Sequence, residues 1–408
     1  MEILGIERMR ELLARKIPRV CMRYSFYEQK NAFRTFNIVI PPRWNQIAVS
    51  LGWATRAVDS LADRLVFRDF ARDFYGMNEI FRMNSQDVLT DSAILAALIS
   101  GCSFIYISEG ENGEPRLQVI DGANATGVVD PITRMLSEGY AVLERDPQTR
   151  RPTVEAHFVP GQTVIYARDQ EPYAIPNAAP YPLLVPIVHR PDAARPFGHS
   201  RISRACMSIQ DAAARDLQRA EVSAEFYSFP QKYVTGMSPE TEFDNFRATI
   251  SSFLTLTTDE NGGHPILGQF QQQSMTPFAD MLRMYAGLFA GETGLTLDDL
   301  GFPSVNPSSA EAIKASHETL RASARAAQRD FEICLLNVGY LAVCVRDGQA
   351  YARNQVYGTR VRWEPVFEPD MSAIGAVGDA IGKINAAIPG YFSDEMLAEM
   401  TGLRGDDA

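Results

Sequence analysis

The stretch from Pro303 to Arg346 constrains this chain more than any other, because it asks for one long helix whose two halves want different surroundings. Asn306-Pro307 marks a turn, Ser308 is placed to cap, and Glu311 follows three residues on, so a capping box starts the helix sharply. From Ala310 to Asp330 the sequence is mostly Ala, Ser, Arg and Gln; from Phe331 to Val345 it is nearly all apolar. The second half must be buried. The first faces water or small neighbours. Lys314, His317, Arg321, Arg325 and Gln328 recur at spacings of three and four, a basic stripe that faces either a polyanion or acidic helices of a neighbour. Ala312, Ala315, Ser316, Thr319, Ala322, Ser323 and Ala326 keep the other faces small, so helices can approach closely.

Two more helices lead to this one. Gly198-His199-Ser200-Arg201 opens a helix over 201–227, ~40 Å long at 1.5 Å per residue. Its apolar stripe, Ile202, Cys206, Ile209, Ala213, Leu217 and Ala220, is narrow, and Asp211, Arg215, Asp216, Gln218, Arg219 and Glu221 cover much of the rest. So narrow a stripe on so long a rod suits packing against helices of neighbouring subunits. Phe229-Pro230 ends it, and a small α/β insert follows: strand 232–235, helix 239–250, strands 254–257 and 266–270. Thr276-Pro277 then opens a helix to about residue 290, with Thr as cap and Pro in the first turn. A Gly/Pro/Asp-punctuated loop carrying Asp298 and Asp299 joins it to the long helix.

The first two hundred residues read as α+β. Helices are expected at 6–16 and 22–30, then an amphipathic helix over 44–65 after the Pro41-Pro42 break, then one at 84–100. Asp59 and Asp63 on the third, with Arg56 and Arg64 nearby, read as a solvated face with local ion pairs. Strand 103–108, the turn Glu111-Asn112-Gly113 and strand 116–120 make a hairpin, and strands at 140–143, 153–159, 163–167 and 185–189 continue a mostly antiparallel sheet. Strand 359–363 is expected to return to that first sheet, and 373–403 to form two or three small helices. There is no internal repeat, heptad array or low-complexity run.

Composition narrows function mainly by exclusion. At 408 residues the chain exceeds one ordinary core. A net charge of -11 disfavours a protein built to grip phosphates, while leaving room for a local basic patch. Five scattered cysteines read as reduced thiols, mostly in the core, of an intracellular protein. The most apolar window, 93–107, is broken by Ser100-Gly101 and is short of the roughly 20 residues a membrane span needs. No secretion signal opens the chain. A hydrolase elbow fails because Ile202 stands at the second glycine of Gly198-x-Ser200-x, and a P-loop fails because Gly382-Lys383 is followed by Ile384. Cys334 and Cys344 lack partners at zinc spacing, the five histidines stand alone, and Asp298 and Asp299 read as solvated loop charge rather than a cation site. No catalytic residue, metal or cofactor is expected.

Several diffuse features recur in a set order: Asn45 with Val58-Asp59 and Asp63; 96–104 with Gly101 before a strand; Gly198-x-Ser200 opening a long helix; 302–311 with its Pro-Ser-Ser-Ala-Glu start; and Val361-Arg-Trp363. In that order the chain resembles the tailed-bacteriophage portal proteins, or head-to-tail connectors, over nearly its whole length. The resemblance implies an elongated, multi-part α+β fold: an α/β wing (1–197), a first stem helix (198–227), a small α/β clip (228–275), a second stem helix (276–290), a tunnel loop (291–307), a long tunnel helix (308–346), a wing return strand (347–372) and a short helical crown (373–408). It also implies a ring, usually of twelve subunits, at one capsid vertex, with assembly in the host cytoplasm. Double-stranded DNA would pass through without sequence-specific binding, terminase and head-completion or adaptor proteins would dock, and major capsid and scaffolding proteins would be neighbours. Asp298, Asp299, Asn306, Lys314, Arg321 and Arg325 are then the DNA-channel candidates, and Ile202, Ile209, Leu217, Ala315 and Ala322 the subunit-packing candidates. Acidity suits a conduit, since each Lys or Arg contact to phosphate releases counterions and tightens binding. The competing expectation is a minor head component that binds the capsid without forming a channel.

Overall fold

The computed structural model describes residues 3–31, 49–110, 113–228, 232–235, 266–269, 274–303, 310–356, 358–367, 371–393 and 396. The Pro41-Pro42 break with Asn45, the tip of the 111–113 turn, most of the insert, Asn306, the cap at Ser308 and the last helix of 373–403 lie outside them. Contacts divide the chain into two units, one of Met1–Asn31, Gly52–Met207 and Gly291–Ala408, the other of Ala32–Leu51 and Ser208–Ala290. Helix and sheet are mixed, as the α+β reading expects.

The first unit opens on α1 (Ile6–Tyr27), one helix where two were expected. Pro18 removes a backbone bond, yet Val20 and Phe26 continue the buried face begun by Met9, Leu13 and Lys16, and that burial carries the helix through. At its start the Leu4 and Gly5 N–H groups donate to the buried Glu138 carboxylate at 2.7 and 2.8 Å, and His157 Nε2 lies 2.7 Å from the same group. Lys16, also buried, donates to the Ala125 carbonyl at 3.0 Å and stands over the Phe104 and Phe197 rings.

Next come α2 (Trp53–Ala62), β1 (Phe67–Ala71), α3 (Met77–Met83) and α4 (Gln86–Ser100). The end of α4 accounts for its last four carbonyls one by one. Ala97 accepts from Gly101 N–H at 2.8 Å, Leu98 from Arg201 N–H at 2.8 Å, Ile99 from the Ser200 hydroxyl at 2.6 Å, and Ser100 from Arg23 at 2.7 Å. The Gly198-His199-Ser200-Arg201 segment is therefore the cap of a helix a hundred residues earlier. Gly198 is required there: its φ is +67°, and a Cβ would sit 2.1 Å from the His189 carbonyl oxygen.

Two antiparallel sheets follow. In one, β2 (Cys102–Glu109) lies between β3 (Pro115–Ile120) and β9 (Leu184–Val188). The other is a meander of β4 (Ala125–Val129), β5 (Leu136–Arg145), β6 (Pro152–Val159), β7 (Gln162–Ala167) and β8 (Tyr173–Pro176). Its last strand is an edge. Asn177 N–H donates to Gly161, so Ile175 and Tyr173 also turn toward β7, and Ala174 and Pro176 turn to the open side. Pro176 has no N–H to offer there, and neither has Pro172 in the same phase before the strand.

The two hairpin turns flanking β5 are copies of one another. Asp130-Pro-Ile-Thr-Arg134 and Asp146-Pro-Gln-Thr-Arg150 each fold over the aspartate: Ile132 N–H reaches Asp130 at 2.9 Å, and Gln148 N–H reaches Asp146 at 2.9 Å. Both carboxyls are held below the usual range, Asp130 first by the Ile132 N–H and Asp146 first by the Thr149 N–H at 2.7 Å and then by that of Gln148. Each turn closes on an arginine with positive φ, +61° at Arg134 and +58° at Arg150, a conformation that favours glycine. Arg134→Gly and Arg150→Gly are each expected to stabilise the chain by ~0.5–1 kcal/mol, read as a higher denaturant midpoint at unchanged slope.

In the second unit, α5 (Arg204–Ser228) enters from the first, β10 (Lys232–Thr235) pairs antiparallel with β11 (Ile266–Gln269), and α6 (Thr276–Thr293) leads back. The long helix comes in two pieces, α7 (Ala310–Ser316) and α8 (Glu318–Asp347), broken at His317. Its apolar half behaves as read: Phe331, Leu335, Val338, Leu341 and Ala342 are fully buried, with α8 packed on β9 and β2. After α9 (Arg353–Val356), β12 (Arg360–Trp363) pairs with β1 rather than with the sheet of β2. The Arg362 guanidinium forks onto Asp69 at 2.6 and 2.7 Å to fix that register. Helix α10 (Met371–Ala387) follows. Four cysteines are buried, and Cys21 is exposed rather than in the core.

Candidate functional site

The elements singled out by sequence converge at the N-terminal side of α8. The chain leaves α6 at Thr293 and turns at Gly294, whose φ is +70° and where a Cβ would press on Thr319 Cγ2 at 2.8 Å. A single 3₁₀ turn, Asp298–Leu300, follows. Asp299 is turned into its own loop, its carboxylate accepting from Thr296 N–H and Oγ1 at 2.9 and 2.8 Å. Around it stand Arg56 of α2 at 4.0 Å and His317, the break between α7 and α8, at 3.9 Å. The loop aspartate and the basic stripe thus meet within one chain. Arg321, next on the stripe, lies 3.6 Å from Glu318 and stacks on the Phe367 ring, whose other guanidinium neighbour is Arg64. Arg325 is exposed.

Of the remaining candidates, Lys314 lies on α7, and Asn306 falls outside the described residues. Ala315 and Ala322 are exposed. On the first rod Ile209 and Leu217 are half-buried. Ile202 is 1% exposed, covered by its own chain.

One residue here escapes any reading by period. Arg201 is buried just before α5, donating Nε to the Ala57 carbonyl of α2 at 3.3 Å and Nη2 to the Thr293 carbonyl that ends α6. A cation at a helix C-terminus suits the macrodipole, and burial lowers its pKa to about 10. Ser203 adds a bond from its hydroxyl to Glu292 at 2.7 Å. Within the first unit, then, the departure of α5 and the arrival of α6 are tied together at one point. The signal available in sequence was only a polar run, His-Ser-Arg, set between a glycine and an apolar stripe.

Behind α8, His189 is buried against Phe331, ring centroids 6.2 Å apart, with Nδ1 2.7 Å from the His199 carbonyl. Desolvation lowers its pKa to about 4, so it is neutral at pH 7 and Nδ1 carries the donated proton. Ser200 is no nucleophile in this arrangement. Its hydroxyl is given to Ile99, and the neighbouring His199 directs Nε2 to Asp192 at 2.6 Å. Among the described residues no group of three His, Cys, Asp or Glu side chains is placed to hold a metal ion, and no helix is long and apolar enough to cross a membrane.

No family model matches the chain. It is 27% identical over 325 residues to the portal protein of Mycobacterium phage L5 and 26% identical over 325 residues to that of Mycobacterium phage D29. Each match takes in 72% of this chain and 65% of the relative, so the chain spans about two thirds of the length of those curated relatives. Among solved structures it is similar to a chain of the virion of a native gene transfer agent particle (TM-score 0.44, 15% identity, 86% of this chain and 90% of that one). It is also similar to a chain from the neck of a native gene transfer agent particle computed with C12 symmetry (TM-score 0.41, 15% identity, 94% and 99% covered). Over nearly three quarters of its sequence, this chain is a relative of two mycobacteriophage portal proteins.

Proposed function

We propose that the chain is a portal subunit: identical copies close into a ring at one capsid vertex and leave a bore through which double-stranded DNA is packaged and ejected. The likeness to portal proteins over 72% of the chain carries this reading. An uncovered face on α6 supports the closing of copies side by side. Met281, Met284 and Leu288, at spacings of three and four, are 37%, 52% and 55% exposed, an apolar stripe with no cover among the described residues. In this reading α5 and α6 are the stem helices, 228–275 the clip, 291–307 the tunnel loop, and α7 with α8 the tunnel helix. The exposed face with Arg325 and Ala322 is the side of α8 open to the bore or to the next copy. Terminase and head-completion proteins are the proposed partners, and the virion the proposed location.

Negative-stain electron microscopy of the purified chain is expected to show rings with an open centre, and Met284→Glu with Leu288→Glu to shift them toward monomers in sedimentation. Monomers for the unaltered chain at every concentration and salt would refute the proposal and favour a head component that binds singly.

A further inference from the structure

A groove of about 470 Å³ runs between α1 and the β5–β6 hairpin of the first unit. Leu13, Ile17, Tyr140 and Val142 make its floor, and Arg10, Arg145 and Arg151 stand around it. Its one carboxylate is already engaged. Glu155 takes Arg10 Nε and Nη2 at 3.1 and 2.5 Å and the Tyr140 hydroxyl as well. Arg145 is oriented by Asn124 Oδ1 at 2.8 Å and the Arg150 carbonyl at 3.0 Å, while Arg151 is exposed with no side-chain partner among the described residues. Arg10 is thus satisfied by Glu155 and by Glu7 at 2.6 Å, and Arg145 and Arg151 are left facing the groove with no carboxylate bonded to them among the described residues. The exposed side of α1 adds Arg15 and Arg19, in a chain whose net charge is -11. Such a local reversal of sign is a steering feature for an acidic partner.

We propose that this groove docks a short acidic segment of a partner protein, with an apolar side chain on the Leu13–Ile17–Tyr140–Val142 floor and carboxylates forked by Arg145 and Arg151. The apolar floor is what favours a peptide over nucleic acid. A sugar-phosphate backbone would cover that floor with nothing apolar, whereas an amphipathic peptide fills floor and rim together. Arginine is enriched at protein interface centres, and its planar guanidinium matches a carboxylate with two parallel bonds. Its readout is peptide binding, separate from the ring images that test the proposed function.

The test uses the full chain and fluorescence anisotropy of a labelled amphipathic helical peptide of leucine, alanine and glutamate, at low salt, with a lysine-for-glutamate version as control. The acidic peptide is expected to bind saturably and the lysine version not at all. Arg151→Glu, which removes no bond of the fold, is expected to weaken binding several-fold, and Arg145→Glu with Arg151→Glu more than about tenfold. Arg151→Gln is expected to lie between, and unchanged melting curves would show that the fold is intact. Failure of the acidic peptide to bind, an affinity indifferent to Arg151→Glu, or its displacement from the groove by a short DNA duplex would each overturn the proposal.

Discussion

Phe331→Ala is expected to destabilise the purified chain by ~3–5 kcal/mol, the range for emptying a fully buried aromatic site. The ring is 0% exposed and sits where the polar half of α8 gives way to the apolar half, stacked on His189. Its loss opens a cavity that β9 and α8 cannot close, because His189 is held on the far side by the His199 carbonyl. At roughly 2 °C per kcal/mol for a large domain, calorimetry should show a midpoint lower by about 8 °C. Phe331→Leu, which keeps much of the volume, should lose less than half as much. Equal losses for the two would mean that something other than packing holds this position.

The second large effect is a loss of stability in mild acid. His189 has a folded pKa of about 4 against an ordinary 6.5, lowered first by burial, with Arg201, Arg190 and His199 adding repulsion against its second proton. For a base whose folded pKa is depressed, the unfolded chain binds more protons between the two values, so stability is complete above pH 6.5 and falls as the pH drops toward 4. The shift amounts to roughly 3–4 kcal/mol at about 1.4 kcal/mol per unit. His189→Asn keeps a donor for the His199 carbonyl but cannot charge. It should start less stable at pH 7 and then lose less on acidification. Parallel midpoint-against-pH curves for the two proteins would place the acid sensitivity elsewhere.

What the sequence made legible was whatever repeats along one element. The apolar run of 331–345 is buried as its composition demands, the hairpin of β2 and β3 forms around its turn, and a rod, a strand-containing insert and a second rod precede the acidic loop. What it concealed are contacts between single residues far apart. Nothing local in Arg360–Trp363 says that its partner is Phe67–Ala71, since either sheet offers the same alternating pattern to a four-residue strand. Arg201 reaches Ala57 and Thr293 through backbone carbonyls, which have no sequence signature. The proximity of Asp299 and His317 depends on a loop path that spacing does not encode. The two Asp-Pro-x-Thr-Arg turns are legible in principle, as Asp then Pro at the first two positions of a turn, but five letters are too few to form a repeat with a helical or strand period. Pro18 misled in the opposite direction: a helix breaker by rule, it was overruled by the buried residues on either side of it.

The prolines beside Ala174 bear on how such molecules can live at high density. A bare sheet margin in a crowded solution invites runaway cross-molecule laddering. A strand that turns outward only one amide hydrogen in five residues can accept through its carbonyls but hardly donate, so a stranger's backbone cannot complete a ladder on it, even though Tyr173 and Ile175 stand in the open beside it. Any contact made at this margin is therefore left to side chains, which can be specific about the neighbour.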